Sequence, residues 1–249
     1  MRTKVKKLTS VILAVVMMLG ILTIAPLTVS AATYGDFEYT LEDDYTCTIT
    51  KYNGSAANVT IPSTIYGNKV SAIGRYAFEE NPNIKKVSMP NSVKIIDRGA
   101  FWYCGNLESV TMPTGLKEIG GCAFYETNLK SVVLPTGLKY ISNEAFKFCY
   151  NLKTVTLPNT VESLGNACFG SCTSLQSISI PNSVKDMRWS TFDRCTSLKT
   201  VTIGCGVDTM ETYSVFGGCT SLENITVNSS NNNYSSANGI MYDKNKPKF

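Results

Sequence analysis

The sequence predicts a β-dominated solenoid in which one parallel sheet of about seven or eight strands is backed by short helical turns. Two markers recur in phase: a short apolar run that mostly ends in proline, and a phenylalanine. After a first step of 28 residues, the runs follow one another every 22–24 residues, as in stacked structural repeats. The runs begin at Val59, Val87, Val110, Val132, Val155, Ile178, Val201 and Ile225, and the aromatic marker comprises Phe78, Phe101, Phe124, Phe146, Phe169, Phe192 and Phe216.

One period illustrates the elements of a coil. The alternating apolar residues of 107–112 predict a half-buried strand, and Pro113 ends it because proline has no N–H to donate. Leu116 and Ile119 form a second apolar pair. An alanine and Phe124 follow, and we expect this aromatic ring to point inward from a short helical turn. No period buries its apolar face alone, so neighbouring coils must cover one another.

The repeats resemble those of a known family. An L-x-x-V-x-M strand at this period is typical of leucine-rich repeats. Individual copies also carry Leu-Pro after the strand, Ile-Gly further on, or Ala-Phe with a cysteine three residues later. These details resemble the BspA-type leucine-rich repeats of bacterial surface proteins. The clearest copies are IGRYAFEENPNI (73–84), IGGCAFYETNL (119–129) and ISNEAFKFCYNL (141–152). The resemblance implies an α/β leucine-rich-repeat solenoid over residues 59–227, secretion or surface exposure, adhesin-like binding in several members, and no catalytic residues.

The beginning of the chain resembles a secretory signal peptide. Residues 1–7 are basic, residues 8–27 are mostly apolar, and small residues surround Ala31 and Ala32, the two candidate cleavage positions. An uncleaved anchor is the alternative, because the apolar stretch is long enough to span a bilayer. The small residues favour cleavage. We therefore expect residues 1–32 to be removed, no membrane insertion afterwards, and a secreted or bacterial cell-surface protein.

The regions on either side of the repeats predict caps. In residues 33–58, two alternating runs flank Asp43-Asp44, which predicts a β-hairpin over the first coil. Residues 228–249 are polar and end on a phrase that resembles the start of further strands, so they form either a C-terminal cap or a truncated further repeat.

Composition and charge exclude several functions. The chain has no histidine, which removes histidine-based catalysis and histidine metal ligands. Four of its 23 basic residues precede residue 8, and the remaining 19 match 19 acidic residues. A neutral chain has no bulk attraction for nucleic acid. We therefore expect a monomer that is not an enzyme and binds no nucleic acid, metal or other cofactor.

Five cysteines lie three residues after the repeat phenylalanine, where other copies place Asn81 and Thr127. Such a column predicts small, weakly polar side chains that point inward and meet backbone groups. Secretion favours disulfides as an alternative, but side chains in register point the same way, whereas a disulfide needs opposed Cβ vectors. The cysteines are Cys104, Cys149, Cys172, Cys195 and Cys219.

Two surfaces are candidates for binding. Outward strand positions form a stripe of small hydroxyls, which reflects either β-propensity or a flat neutral face for a peptide or glycan. Aromatic residues just after the repeat phenylalanine of three successive periods form the second surface, and the alternative is that they pack over their own coil. The stripe contains Ser109, Thr111, Ser131, Thr154, Thr156, Ser177, Ser179, Thr200 and Thr202, and the aromatic residues are Trp102, Tyr103, Tyr125, Phe148 and Tyr150.

The sequence therefore predicts a secreted or cell-surface binding module, adhesin-like and non-catalytic, for an extracellular protein or polysaccharide. We expect the aromatic residues to form the main contact surface, because Trp and Tyr often dominate binding energy. The alternative is a structural or spacer array within a larger surface protein, whose anchor or catalytic domain lies beyond residue 249.

Overall fold

The computed structural model describes residues 31–210 and 214–245, so nearly all of the predicted signal peptide lies outside the described residues. All regular structure in those two ranges is β. The expectation of short helical turns is therefore wrong. The strands are β1 Ala32–Tyr34, β2 Phe37–Leu41, β3 Thr46–Tyr52, β4 Asn58–Thr60, β5 Thr64–Ile65, β6 Asn68–Ile73, β7 Lys86–Ser88, β8 Ile95–Ile96, β9 Ser109–Thr111, β10 Glu118–Ile119, β11 Ser131–Val133, β12 Tyr140–Ile141, β13 Thr154–Thr156, β14 Ser163–Leu164, β15 Ser177–Ile180, β16 Asp186–Met187, β17 Thr200–Ile203, β18 Thr209–Met210, β19 Asn224–Val227, β20 Tyr234–Ala237 and β21 Ile240–Asp243.

The predicted apolar runs form the first row of strands, which is β4, β7, β9, β11, β13, β15, β17 and β19. Neighbours within its hydrogen-bonded groups are parallel and in register, as in the pairs Val132 with Val155 and Ile178 with Val201. The row falls into three sheets, β4-β7-β9, β11-β13 and β15-β17-β19, so the prediction of one continuous sheet is wrong. The break between β9 and β11 follows a turn that is one residue shorter than in the preceding period.

The second residue of each period's second apolar pair lies in a two-residue strand, and these strands form a row, β8, β10, β12, β14, β16 and β18, which sequence analysis did not predict. The second residue of each is buried, and the row continues parallel from β3 and β6 in an eleven-stranded sheet. At its start, β1, β2 and β3 pair antiparallel, and β5 pairs antiparallel with β6. We number the coils by their phenylalanine, from Phe78 in coil one to Phe216 in coil seven.

The turns around the repeat phenylalanine connect the coils by a hydrogen-bond pattern that we call the turn ladder. In coil two, Phe101 N donates to Ala123 O at 2.8 Å and Tyr103 N donates to Tyr125 O at 2.9 Å, both in coil three. The intervening N–H groups bond three residues back within their own coil. Residues two places before and after the phenylalanine repeatedly adopt positive φ, 56° at Tyr103. Because every second N–H is used between coils, no helix forms here.

The core is a column of stacked phenylalanines that we call the Phe ladder. Ring centroids of successive members lie 4.8–5.8 Å apart, and the rings from Phe78 to Phe192 are buried. At the N-terminal end, Tyr52 of β3 stacks on Phe78 at 5.2 Å and donates its N–H to Ala77 O at 2.8 Å. Tyr52 therefore acts as an additional rung, whereas Phe216 at the other end is only half-buried.

Residues after the last coil form a second hairpin, in which β20 and β21 pair antiparallel. Asn238 and Gly239 connect them with φ of 50° and 78°, which suits a type I′ turn. Sequence analysis did not predict this hairpin. None of the described residues belongs to a helix with the length and apolar character needed to cross a bilayer.

Candidate functional site

Five aromatic residues of the turn segments in coils two to four lie together, and we call them the aromatic patch. They lie one, two or four residues after the repeat phenylalanine, whose own ring points into the core. The ring contacts run from coil to coil without a gap. Centroid distances are 4.3 Å for Trp102–Tyr103, 5.6 Å for Tyr103–Tyr125, 6.4 Å for Trp102–Tyr125, 5.2 Å for Tyr125–Phe148 and 5.8 Å for Phe148–Tyr150.

Every ring of the patch reaches solvent. Tyr103 is 40% exposed and Tyr150 is 47% exposed, while Trp102, Tyr125 and Phe148 are half-buried. The structure thus brings the five predicted residues together at the surface. Their part in binding remains a prediction.

Tyr76 extends the patch toward the N-terminus, and sequence analysis did not select it. Its ring centroid lies 6.3 Å from that of Trp102, and its side chain is 37% exposed. Tyr76 lies two residues before the repeat phenylalanine of coil one. The corresponding position in later coils holds glycine, cysteine, glutamate, alanine or serine, so no column of aromatic residues marked it.

Two glutamates lie on either side of Tyr103 in the patch. Glu80 and Glu126 lie two residues after the phenylalanine in coils one and three, at the same position as Tyr103 in coil two. The pKa of Tyr103 is raised, mainly by the negative charge of the Glu126 carboxylate. Partial burial and the charge of Glu80 also raise it. Among the described residues, no lysine or arginine forms a salt bridge with either glutamate. This side of the patch is therefore acidic.

The other side of the patch carries a cation that is already paired. Lys147 Nζ lies 2.8 Å from Glu144 Oε1 and 5.1 Å from the ring centroid of Phe148. A ring, an acid and a cation of this chain thus form a compact group in coil four. Cations are attracted to aromatic faces in this arrangement.

The patch ends where Gly170 and Ser171 replace the large side chains of earlier coils. A shallow depression of about 260 Å³ opens there, and Trp189, which is 63% exposed, forms part of its wall. A second depression of about 430 Å³ lies beside Arg98 and Cys122. Sequence analysis considered the aromatic residues that follow the repeat phenylalanine, so it did not select Trp189, which lies three residues before Phe192.

The hydroxyl stripe has a different character. All nine of its side chains are exposed, and strand register aligns them across coils, as in Ser131 with Thr154 and Ser177 with Thr200. Among the described residues, none of these hydroxyls has a hydrogen-bond partner. The stripe is a flat, uncharged surface without aromatic rings.

The cysteine column is part of the core. Cys172 Sγ donates to Phe146 O of the preceding coil at 3.2 Å, and the other four cysteines make the equivalent contact at 2.9–3.2 Å. All nine cysteines are free thiols. Burial raises the pKa of Cys104 to about 12 and that of Cys149 to about 11. Cys219 is only half-buried, because it lies in the last complete coil.

Within residues 31–210 and 214–245, no three histidine, cysteine, aspartate or glutamate side chains are placed to hold a metal ion. Several surface carboxylates instead form ion pairs with lysine or arginine, as in Glu162 with Lys139 at 2.9 Å. The best-formed surface feature is therefore the aromatic patch.

Comparison with known families gives one match that covers most of the chain. The model of the BspA type leucine rich repeat region matches six copies, over residues 51–153 and 139–238. No curated protein sequence matches this chain.

Solved structures with the same fold come from several bacteria. The Treponema pallidum leucine rich repeat protein is 28% identical, with a TM-score of 0.53 over 79% of this chain and 81% of its own. A leucine rich cell surface protein of Faecalibacterium prausnitzii is 27% identical, with a TM-score of 0.60 over 88% of this chain and 60% of its own. The pneumococcal vaccine antigen PcpA, at 22% identity, shares the fold with a TM-score of 0.60 over 86% of this chain and 54% of its own.

Proposed function

Since this chain belongs to the BspA-type leucine-rich repeat proteins, we propose that it is a non-catalytic binding module, secreted or held at the bacterial cell surface. Its ligand is an extracellular protein or polysaccharide, which makes the module adhesin-like. The aromatic patch is its main contact surface. The similar protein of Faecalibacterium prausnitzii is a cell surface protein, which supports the location.

The continuity of the patch is the observation that carries this proposal. Five rings from three coils touch one another in sequence, and each keeps part of its surface in solvent. Large aromatic side chains bury much area at low cost in conformational entropy, and they often dominate binding energy at interfaces. A protein with little net charge lacks long-range steering, so its affinity must come from such local contacts.

The hydroxyl stripe is the competing surface. Its side chains are small, so each contact removes little apolar area from water, and their desolvation offsets part of the gain. The patch instead combines rings with three tyrosine hydroxyls and an indole N–H. This difference favours the patch as the surface that supplies affinity.

A spacer role within a larger surface protein is the second candidate. It is favoured by the length of two similar structures, since this chain matches only 60% of one and 54% of the other. In that case the coils would set a distance, and neither the patch nor the stripe would hold a ligand.

The test is a pull-down of the full secreted chain against extracellular matrix proteins and immobilised glycans, followed by affinity measurement on the partner found. Trp102→Ala/Tyr125→Ala should weaken binding about tenfold or more, as for hot-spot aromatics. Tyr140→Ala/Trp189→Ala is the matched control, because both of its aromatics are exposed outside the patch. Circular dichroism must show an unchanged folding transition for both variants.

Each outcome decides between surfaces. Loss of binding in the first variant alone supports the patch. Equal affinity of both variants and the parent would move the contact surface to the hydroxyl stripe. Failure to retain any partner would favour the spacer role.

A further inference from the structure

Three successive rungs of the turn ladder place two acids on either side of one phenol ring. Glu80, Tyr103 and Glu126 have φ of 53°, 56° and 56°, and each N–H donates to a carbonyl of the next coil at 2.8–2.9 Å. Because the three backbones are equivalent, their side chains leave neighbouring coils at the same position. With a spacing of roughly 5 Å per coil, the two carboxyl-bearing residues lie about 10 Å apart with the ring between them.

These acids differ from several other acids of the surface that form ion pairs. Glu108, Glu162 and Asp186 are neutralised by lysine or arginine at 2.5–2.9 Å. Among described residues, Glu80 and Glu126 have no such cation, and the cation nearest along the patch, Lys147, is bonded to Glu144. No described lysine or arginine forms an ion pair with either carboxylate, so both acids beside Tyr103 are available to a cation of a partner.

Coil four already contains a cation bound between a ring and a carboxylate of this surface. There, the ammonium of Lys147 lies over the Phe148 ring and beside the Glu144 carboxylate. Around Tyr103 the ring and the acids are present, but the third member, a cation, is missing among the described residues. Rings of Tyr and Trp bind lysine or arginine side chains, and a nearby carboxylate strengthens the contact.

We propose that the aromatic patch selects a lysine- or arginine-rich peptide segment of its partner, with a cationic side chain on the Tyr103 ring between Glu80 and Glu126. The inference rests on the patch being the contact surface. Arginine suits the site better than lysine, because its planar guanidinium stacks on a ring while it donates to carboxylates on both sides. Since acidic and basic residues balance after residue 7, this selection is local and screened by salt.

The experiment measures binding of fluorescein-labelled nona-arginine to the full secreted chain by fluorescence anisotropy, with nona-glutamate as the opposite charge. Nona-arginine should bind and nona-glutamate should not. Glu80→Gln/Glu126→Gln should weaken nona-arginine binding about tenfold, as two charge-assisted contacts are lost. Glu42→Gln/Glu118→Gln, two exposed acids outside the patch, is the matched control and should leave the affinity unchanged.

A second pair of variants tests the ring itself. Tyr103→Phe keeps the aromatic face and should retain binding within about twofold, whereas Tyr103→Leu should lose about fivefold. Equal affinity in the parent and the Glu80→Gln/Glu126→Gln variant, or equal binding of both peptides, would overturn the inference. Equal affinity of the two Tyr103 variants would overturn the placement of the cation on the ring.

The two proposals fail in different ways. If Trp102→Ala/Tyr125→Ala abolishes binding of the natural partner while nona-arginine never binds, the patch remains the contact surface and its selection of cations is wrong. If neither ligand responds to that double variant, the patch is not the contact surface, and both proposals fall together.

Discussion

The Phe ladder and the aromatic patch are built by the same coils at the same spacing, yet their rings are ordered differently. From Phe101 to Phe216, successive rings are parallel within 5–8°. In the patch, rings of neighbouring coils meet at 37°, 41° and 86°. The stacking of coils therefore fixes how far apart equivalent side chains lie, while enclosure on all sides fixes how they are oriented.

The same difference governs which residues are allowed. Inside, every ring from Phe78 to Phe192 has a ring on both sides, and all seven coils keep phenylalanine. Outside, the position two residues later holds glutamate, tyrosine, phenylalanine, serine, arginine or glycine. The fold thus does not constrain the residue type at this outer position. The surface there can change without any change to the core.

The largest effect is expected from removal of a ring in the middle of the Phe ladder. Phe146→Ala should lower the free energy of unfolding by about 3–5 kcal/mol, since the ring is fully buried between two others. Urea denaturation monitored by circular dichroism measures this loss, and a broadened transition is expected because coils can unravel locally. Phe216→Ala is the internal control and should cost less, because its ring is half-buried. A loss below about 1 kcal/mol for Phe146→Ala would show that the ladder is not the stabilising core.

Removal of a thiol from the cysteine column should have an intermediate effect. Cys172→Ala deletes the Sγ donor to Phe146 O and leaves a small cavity, so we expect a loss of about 1–3 kcal/mol. Cys172→Ser keeps a donor and should lose less, as the natural threonine at position 127 of the column indicates. Urea denaturation of the two variants side by side gives the difference. If the serine variant is no more stable than the alanine variant, the hydrogen bond to Phe146 O does not contribute to stability.

The ladder itself was predictable from the sequence, because a buried column leaves a strict signature. Phenylalanine in every copy and cysteine, asparagine or threonine three residues later indicated inward positions, and the structure places those residues in the core. The parallel register of the first strand row followed from the recurring valines and isoleucines. The prediction of one unbroken sheet failed at two places: the break before β11 follows a shorter turn, whereas the break between β13 and β15 falls within a regular period of 23 residues, which the sequence does not mark.

The turn ladder was not predictable in the same way. Its positive φ falls on Cys122, Glu144 and Ala167, residue types that normally avoid this conformation. Because these three positions hold neither glycine nor asparagine, the sequence predicts a helical turn instead. Hydrogen bonds between coils stabilise these backbones, and such contacts are absent from any single period.

A smaller effect is expected in the aromatic patch. Tyr125→Ala should lower the free energy of unfolding by about 0.5–1.5 kcal/mol, because its ring is only half-buried and meets its neighbours at tilted or edge-on angles. The same denaturation experiment, run beside Phe146→Ala, measures both losses. A cost as large as that of Phe146→Ala would mean that the patch is part of the core.

The smallest effect is one of pH. Burial, followed by the nearby Tyr103, raises the pKa of Tyr125 to about 12, above the ordinary value for tyrosine of about 10. Between these values the folded chain keeps a proton that the unfolded chain has released, so this group lowers stability as pH rises through about 10 and toward 12. Tyr125→Phe lacks the group and should lose less stability over that interval in urea denaturation. The same pH dependence in both proteins would show that Tyr125 ionises normally.

The direction of the turn ladder has a consequence for how such a gene can change. In every described step, the N–H groups of one coil donate to carbonyls of the coil that follows, from Tyr76 in coil one to Arg194 in coil six. Any coil can therefore follow any other, and recombination that adds or removes one whole period leaves each junction with matched donors and acceptors. Loss of coil three would bring Trp102 directly beside Phe148 and discard Glu126. The aromatic patch is thus inherited in units of one period, and it can be rearranged while the fold is kept.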